Sequence, residues 1–249
     1  MELNEVIAKR THKKIYRDGD KCIKMFDETF SKADILNEAL NLAKVESISI
    51  RTPSVLEVGI IDGKWAIVTD FIEGETMMSI IEKDMSKINE YMDKFVDLQI
   101  AVHNEKCPML NNLSDKMMRK ISATDFDATT RYDLHTRLAG MERKDQVCHG
   151  DFNPANVIVM PDGEMAVIDW SHATQGNAAA DVARTYLLFS LRSTEEIAEL
   201  YLDTYCRKTD TAKQYVQSWT PIVAASQSVK AIEDEREFLK KWVNVVDYV

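Results

Sequence analysis

Over its first 70 or so residues the chain alternates short apolar runs of strand period with polar, turn-forming clusters. Lys13-Lys-Ile-Tyr16 and Cys22-Ile-Lys-Met-Phe26 flank the turn Arg17-Asp-Gly-Asp20, and Val55–Ile61 and Trp65–Val68 flank Asp62-Gly63. Both read as β-hairpins. Between them Ser31 can cap a helix running to about Lys44, with Ile35, Leu36, Ala39, Leu40 and Ala43 on its apolar side. Asp70-Phe-Ile-Glu-Gly74 then breaks the pattern, and Gly74 marks a hinge.

Beyond that point the apolar spacing becomes helical. Ile88, Met92, Phe95, Val96, Leu98 and Val102 form one face of a helix from Ile88 to His103. Ser193-Thr-Glu-Glu196 has the form of a capping box opening a helix to about Arg207, and a last helix is expected around Ala224 to Val246. Within this helical stretch lies an exception: Val157-Ile-Val-Met160 and Met165-Ala-Val-Ile168 read as strands joined by Pro161-Asp-Gly163. If they pair, Asn156 enters the hairpin and Asp169 leaves it, so both polar groups meet at its open end. Asp151 sits on the loop just before. The pattern predicts an α+β chain: a β-rich part over residues 1–70, a connector at 71–75 and a larger, mainly helical part over 76–249.

Composition narrows the function classes. The chain has 249 residues, with 41 acidic against 31 basic side chains and a net charge of −10, which argues against a nucleic-acid or anionic-membrane surface. Cys22, Cys107, Cys148 and Cys206 show no CxxC spacing, as expected for reduced thiols in a cytoplasmic protein. The first ten residues lack the apolar core of a signal peptide, and no run reaches membrane-spanning length.

The segment His149-Gly-Asp-Phe-Asn-Pro-Ala-Asn156 followed by Ile168-Asp-Trp170 resembles the catalytic core of the aminoglycoside phosphotransferase family, kinase-like enzymes that include choline, homoserine and sugar kinases. The likeness is strongest from Val147 to Leu188 and collinear, though weaker, from about Lys13 to Phe71. The Asp-x4-Asn spacing, with a second Asp thirteen residues on after a strand, is specific. Each of these residues alone would be read as an ordinary turn or strand-end group; together and in order they are not.

The resemblance implies a two-lobed protein-kinase-like fold, with a nucleotide in the cleft and Mg2+-dependent transfer of the γ-phosphate of ATP or GTP to a small-molecule hydroxyl. By the same resemblance Asp151 takes or orients the acceptor's proton, and Asn156 and Asp169 offer hard oxygen ligands to Mg2+. His149 braces the loop, and Asp181 ties it to the helix behind. Lys24 resembles the third-strand lysine that holds phosphates, and it points opposite to Ile23 and Met25. Glu38 is its candidate partner, with Glu28 and Asp34 as competitors. Asp70, Phe71 and Ile72 are placed to run past the adenine.

Some features depart from the pattern. No GxGxxG precedes the first hairpin, so Ala8 to Lys13 would have to cover the phosphates with side chains in place of glycine amides. Gly150 stands where protein kinases carry Arg, Asp169-Trp-Ser171 replaces Asp-Phe-Gly, and no activation segment follows, which points to a small acceptor. The acidic run Glu233-Asp-Glu-Arg-Glu237 could hold ammonium groups of an aminoglycoside, but reads first as a solvated helix face. Trp170, Trp219 and Trp242 could wall a substrate cavity or fill core. The rival functions are a non-catalytic nucleotide-binding module, which has no need of Asp151, and a metal-dependent hydrolase, which has no need of Lys24.

Overall fold

The computed structural model describes residues 3, 5–10, 12–229 and 231–243. The chain divides into two compact units, Met1–Ile80 with Ala155–Ala173, and Ile81–Pro154 with Thr174–Val249.

The first unit is built on a five-stranded antiparallel sheet, β1 (Glu5–Arg10), β2 (Lys13–Asp18), β3 (Lys21–Phe26), β4 (Val55–Ile61) and β5 (Lys64–Asp70), in the order β1-β2-β3-β5-β4. The two hairpins expected from the sequence, β2–β3 and β4–β5, are joined through a β3–β5 pairing, and β1 adds an edge that the apolar pattern did not announce. Alternation along β3 sends Ile23 and Met25 to one face, where they pack with Ala66 and Val68. Lys24 and Phe26 go to the other. Helix α1 (Lys32–Val45) covers that second face, and Ile35 and Ala39 pack on Phe26 and Ile67.

Ser31 caps α1 as expected, accepting a hydrogen bond from Asp34 N–H. The buried stripe is a different one, however. Leu36 and Leu40 are 42% and 53% exposed, and Ala43 is exposed, whereas Glu38 and Asn41 are buried. Polar groups occupy the inner face of α1 because they have partners there. Asn41 Nδ2 donates to Ser171 O at 3.1 Å, and Glu38 receives two lysines, described below.

A short strand, β6 (Glu75–Thr76), pairs with β8 (Val157–Val159), which forms the predicted hairpin with β9 (Met165–Val167). Ile72, Ile158 and Ala166 make its core, and Val167 N–H donates to Arg51 O at 2.9 Å. These bonds account for the hairpin's place in the first unit. Gly74 has φ +151°, and a Cβ there would lie 2.4 Å from Val159 O, so only glycine allows the connector to run this close to β8.

The second unit is helical. It comprises α3 (Ile88–Asn104), α4 (Leu113–Ser122), α5 (Ala128–Gly140), α6 (Ala178–Arg192), α7 (Glu195–Thr209), α8 (Lys213–Ser228) and α9 (Glu233–Val243), with a two-stranded pairing of β7 (Gln146–Cys148) and β10 (Thr174–Gly176). A further helix, α2 (Met77–Lys83), runs across the division between the units. Helix α6 is the centre: every residue from Ala178 to Phe189 is buried, and it packs on α7 and α8. The face of α3 read from the sequence is the buried one, apart from Ile88 at its start.

Two boundaries differ from the sequence pattern. Thr194, not Ser193, caps α7, because Ser193 already closes α6 through its N–H to Phe189 O. The expected last helix is two, with a break between Ser228 and Glu233; its proposed end at Val246 lies outside the described residues. Trp170 and Trp219 are core residues, 1% exposed each, while Trp242 stacks edge-on to Tyr186. No described helix is long and apolar enough to cross a membrane.

Candidate active site

In the first unit four charged side chains form a chain across the sheet and α1. Lys24 Nζ lies 2.6 Å from Glu38 Oε1 and 3.2 Å from Asp169 Oδ1. Lys13 Nζ reaches the other oxygen of Glu38 at 2.9 Å. Of the three acids considered as partners of Lys24, Glu38 takes the position; Asp34 is held by Ser31 and Glu28 is exposed. Burial by itself lowers the Lys24 pKa, but the neighbouring charges of Asp169 and Glu38 and their hydrogen bonds outweigh it, so the ammonium is held charged well above the ordinary lysine value.

Asn156 and Asp169 meet at the open end of the β8–β9 hairpin. The register Val157↔Val167, extended by Ile168 N–H donating to Asn156 O at 2.9 Å, sets the two residues side by side. Asp169 has φ 63° and ψ 57°, a left-handed backbone that is uncommon for a residue with a side chain and that cluster at functional sites.

These groups line a cavity of about 420 Å³ within the first unit, in the range of small-ligand sites. Lys13, Lys24, Glu38, Asn156 and Asp169 form its charged part, and Ile15, Ile67, Ile72 and Ile158 its apolar part. Asp70, Phe71 and Ile72 also line it, and the structure narrows what they can offer. The Asp70 carboxylate accepts from Ser54 N–H and from Arg51. Phe71 N–H donates to Asp20 O at 2.7 Å, with the Arg17 guanidinium 4.1 Å over its ring. Ile72 lies past the end of β5, outside the sheet's hydrogen-bond ladder.

In the second unit, the loop carrying Asp151 is held from behind by α6. Asp181 Oδ1 accepts from Gly150 N–H at 2.6 Å and Oδ2 from His149 N–H at 3.1 Å. Gly150 has φ +81°, which a side chain would strain. His103 Nε2 donates to Asp181 Oδ2 at 3.1 Å, and His103 Nδ1 lies 2.9 Å from the Tyr205 hydroxyl. Burial raises the Asp181 pKa, but the His103 hydrogen bond and charge and the Gly150 amide bring it below the usual carboxylate value.

His149 is fully buried, and its Nδ1 accepts from Asp151 N–H at 3.2 Å. Phe152 stacks on Phe95 at 4.7 Å between centroids, and Thr185 Oγ1 donates to Phe152 O at 2.9 Å. The Asp151 carboxylate faces Asn153 Nδ2 at 3.3 Å and Arg184 Nη2 at 3.8 Å.

The structure thus brings Lys24, Glu38, Asn156, Asp169 and residues 70–72 to one cavity, and His149, Asp151 and Asp181 to one loop. Sequence reasoning missed His103 and Arg184, and it placed Lys13 in the phosphate-covering stretch without its pairing to Glu38. Arg184 was within reach, since it lies one helical turn after Asp181 and shares its face. His103 was assigned to α3, yet nothing local marks it as Asp181's partner. The acidic run is also not uniformly solvated. Glu233, Asp234 and Glu237 are exposed, but Glu235 turns inward, with its Oε1 3.7 Å from Arg184 Nη1.

Comparison with known proteins gives the fold and site a family. The pattern of the phosphotransferase enzyme family, APH, matches residues 18–215. The match spans most of the chain, which therefore belongs to the phosphotransferase enzyme family. A thermostable mutant of the aminoglycoside phosphotransferase APH(4)-Ia, apo form, is similar with a TM-score of 0.72 at 12% identity, over 96% of this chain and 92% of that one. Choline kinase LicA from Streptococcus pneumoniae has a TM-score of 0.64 at 18% identity, over 97% and 93%. A ternary complex of a thermostable APH(4)-Ia mutant with AMP-PNP and hygromycin B has a TM-score of 0.72 at 13% identity, over 98% and 93%. These likenesses establish the α+β protein-kinase-like fold, with its small antiparallel sheet region and larger helical part. No curated protein sequence matches the chain.

Proposed function

We propose that this protein is a kinase that transfers the γ-phosphate of ATP or GTP to a hydroxyl of a small molecule, with Mg2+ as cofactor. The observation that carries the reading is the Glu38–Lys24–Asp169 chain beside Asn156 in one cavity. A lysine fixed between two carboxylates is a rigid phosphate-facing cation, and the adjacent amide and carboxylate oxygens suit a hard divalent ion. Asn156 and Asp169 would hold Mg2+, which supplies charge neutralisation at the phosphates. The apolar residues of the cavity and Ile72 at the end of β5 would receive the base.

Asp151 is the residue assigned to the acceptor. Its carboxylate takes the proton of the attacking hydroxyl as the new O–P bond forms and the bond to the leaving nucleoside diphosphate breaks. Hydrogen bonds from two consecutive amides, His149 and Gly150, to the Asp181 carboxylate fix the loop's path, and His149 braces it from within; both side chains act by positioning. Residues 1–70 then serve the nucleotide, 71–75 connect, and 76–249 carry the catalytic loop, the metal-holding pair Asn156 and Asp169, and the acceptor site. None of the four cysteines forms a disulfide, which fits a cytoplasmic enzyme supplied with nucleotide.

The aminoglycoside ternary complex and the choline kinase name two acceptor types used on this fold. An acceptor other than an antibiotic is favoured here, because the one inward-facing acid of the α9 run, Glu235, is already matched by Arg184. Nucleoside diphosphate release, measured with ATP and GTP against amino alcohols, sugars and aminoglycosides, with and without Mg2+, tests the proposal. Failure of every acceptor to raise release above the blank would count against it.

A further inference from the structure

The β1–β2 hairpin contains no glycine; the first in the chain is Gly19. A phosphate-covering turn made of glycines works by letting backbone N–H groups approach an anion closely, and that device is absent over residues 5–18. The same hairpin instead directs a lysine inward. Lys13 pairs with Phe26 and Ile15 with Lys24, so the register sets Lys13 on the same sheet face as Lys24, the face that lines the cavity.

Two ammonium groups then share one carboxylate. Lys13 Nζ is 2.9 Å from Glu38 Oε2 and Lys24 Nζ 2.6 Å from Oε1, with the lysine side chains only 17% and 18% exposed. One acid cannot neutralise both. Lys13 Nζ also lies 4.9 Å and 5.1 Å from the ring centroids of Phe30 and Phe26, contacts that hold an ammonium in place without cancelling its charge. The trio Lys13–Glu38–Lys24 carries a net positive charge on the wall of the cavity, and the carboxylate that balances it, Asp169, lies 3.2 Å from Lys24.

We propose that Lys13 is a second phosphate-binding lysine, which takes the place of glycine amides and grips the β- and γ-phosphates beside Lys24. The inference rests on the assignment of this cavity to the nucleotide. Its alternative is that Lys13 merely ties α1 to the sheet through Glu38.

Calorimetric titration of wild type, Lys13→Met and Lys13→Arg with ATP, ADP and AMP separates the two. Loss of a charged hydrogen bond to phosphate should weaken ATP and ADP binding by about tenfold or more, leave AMP within about twofold, and be largely restored in Lys13→Arg. Equal losses for all three nucleotides, or none, would overturn the inference. Should Lys13→Met not fold, amine labelling of the wild-type enzyme gives the same answer: ATP should shield Lys13 from acetylation and AMP should not. Shielding that is equal, or absent with both bound, refutes it. A wild-type protein that binds neither ATP nor AMP would instead remove the nucleotide assignment, and this inference with it.

Discussion

Arg184 Nη2 lies 3.8 Å from Asp151 Oδ1 while its Nη1 lies 3.7 Å from Glu235 Oε1, so one guanidinium joins the Asp151 loop to the acidic start of α9. Arg184 is 8% exposed, and burial lowers its pKa against the opposing pull of Asp151 and Glu235. Removing one acid from such a group leaves charge under-compensated in a poorly solvated place.

Glu235→Gln should therefore lower stability by roughly 1–2 kcal/mol, the scale of a partly buried charged contact, and alter acceptor turnover. Glu233→Gln and Glu237→Gln, 74% and 62% exposed, should change stability by less than about 0.5 kcal/mol. Thermal melts and acceptor KM across the three single variants check this. Equivalent effects at all three positions would show that the run acts as a surface field, as aminoglycoside binding would require.

Asp151→Asn keeps the shape of the side chain and removes its ability to take a proton. Turnover on an identified acceptor should fall by about 10²-fold or more, with nucleotide affinity unchanged. Near-wild-type turnover would exclude Asp151 as the proton acceptor.

Asp169→Ala removes a carboxylate oxygen from the pair with Asn156 and one of the two anions beside Lys24. Nucleotide affinity should lose its dependence on Mg2+, and Asn156→Ala should weaken that dependence less, since it deletes a neutral ligand. Titration of each variant with and without Mg2+ reads the difference; an unaltered Mg2+ response in Asp169→Ala would speak against metal binding there.

Asp181 gives a pH signature. Its folded-state pKa is below the usual carboxylate value, so its contribution to stability is fully present above about pH 4 and is lost as pH falls through the folded-state value. Asp181→Asn should cost roughly 2–3 kcal/mol near neutrality, where three hydrogen bonds to an ionised carboxylate are weakened. The gap from wild type should narrow below pH 4. Urea unfolding at pH 7 and pH 3.5 measures it; a gap that stays constant would mean that Asp181 is not the linked group.

The short-range chemistry of this protein was legible in its sequence. Strand alternation set Lys24 opposite Ile23 and Met25, and the turn at Pro161–Gly163 brought Asn156 and Asp169 together, because both depend only on backbone period and hairpin geometry. The motif around Asp151 carried the family for the same reason: its residues are close along the chain.

Tertiary structure decided the rest. Which acid meets Lys24, and that Lys13 shares it, depends on the inward face of α1, where Glu38 and Asn41 replace the leucines that periodicity favoured. Asp181's bond to His103, 78 residues away, and Glu235's turn toward Arg184 depend on how α3, α6 and α9 pack. A buried polar group is stable only where another element supplies its partner, and a single segment does not encode that meeting.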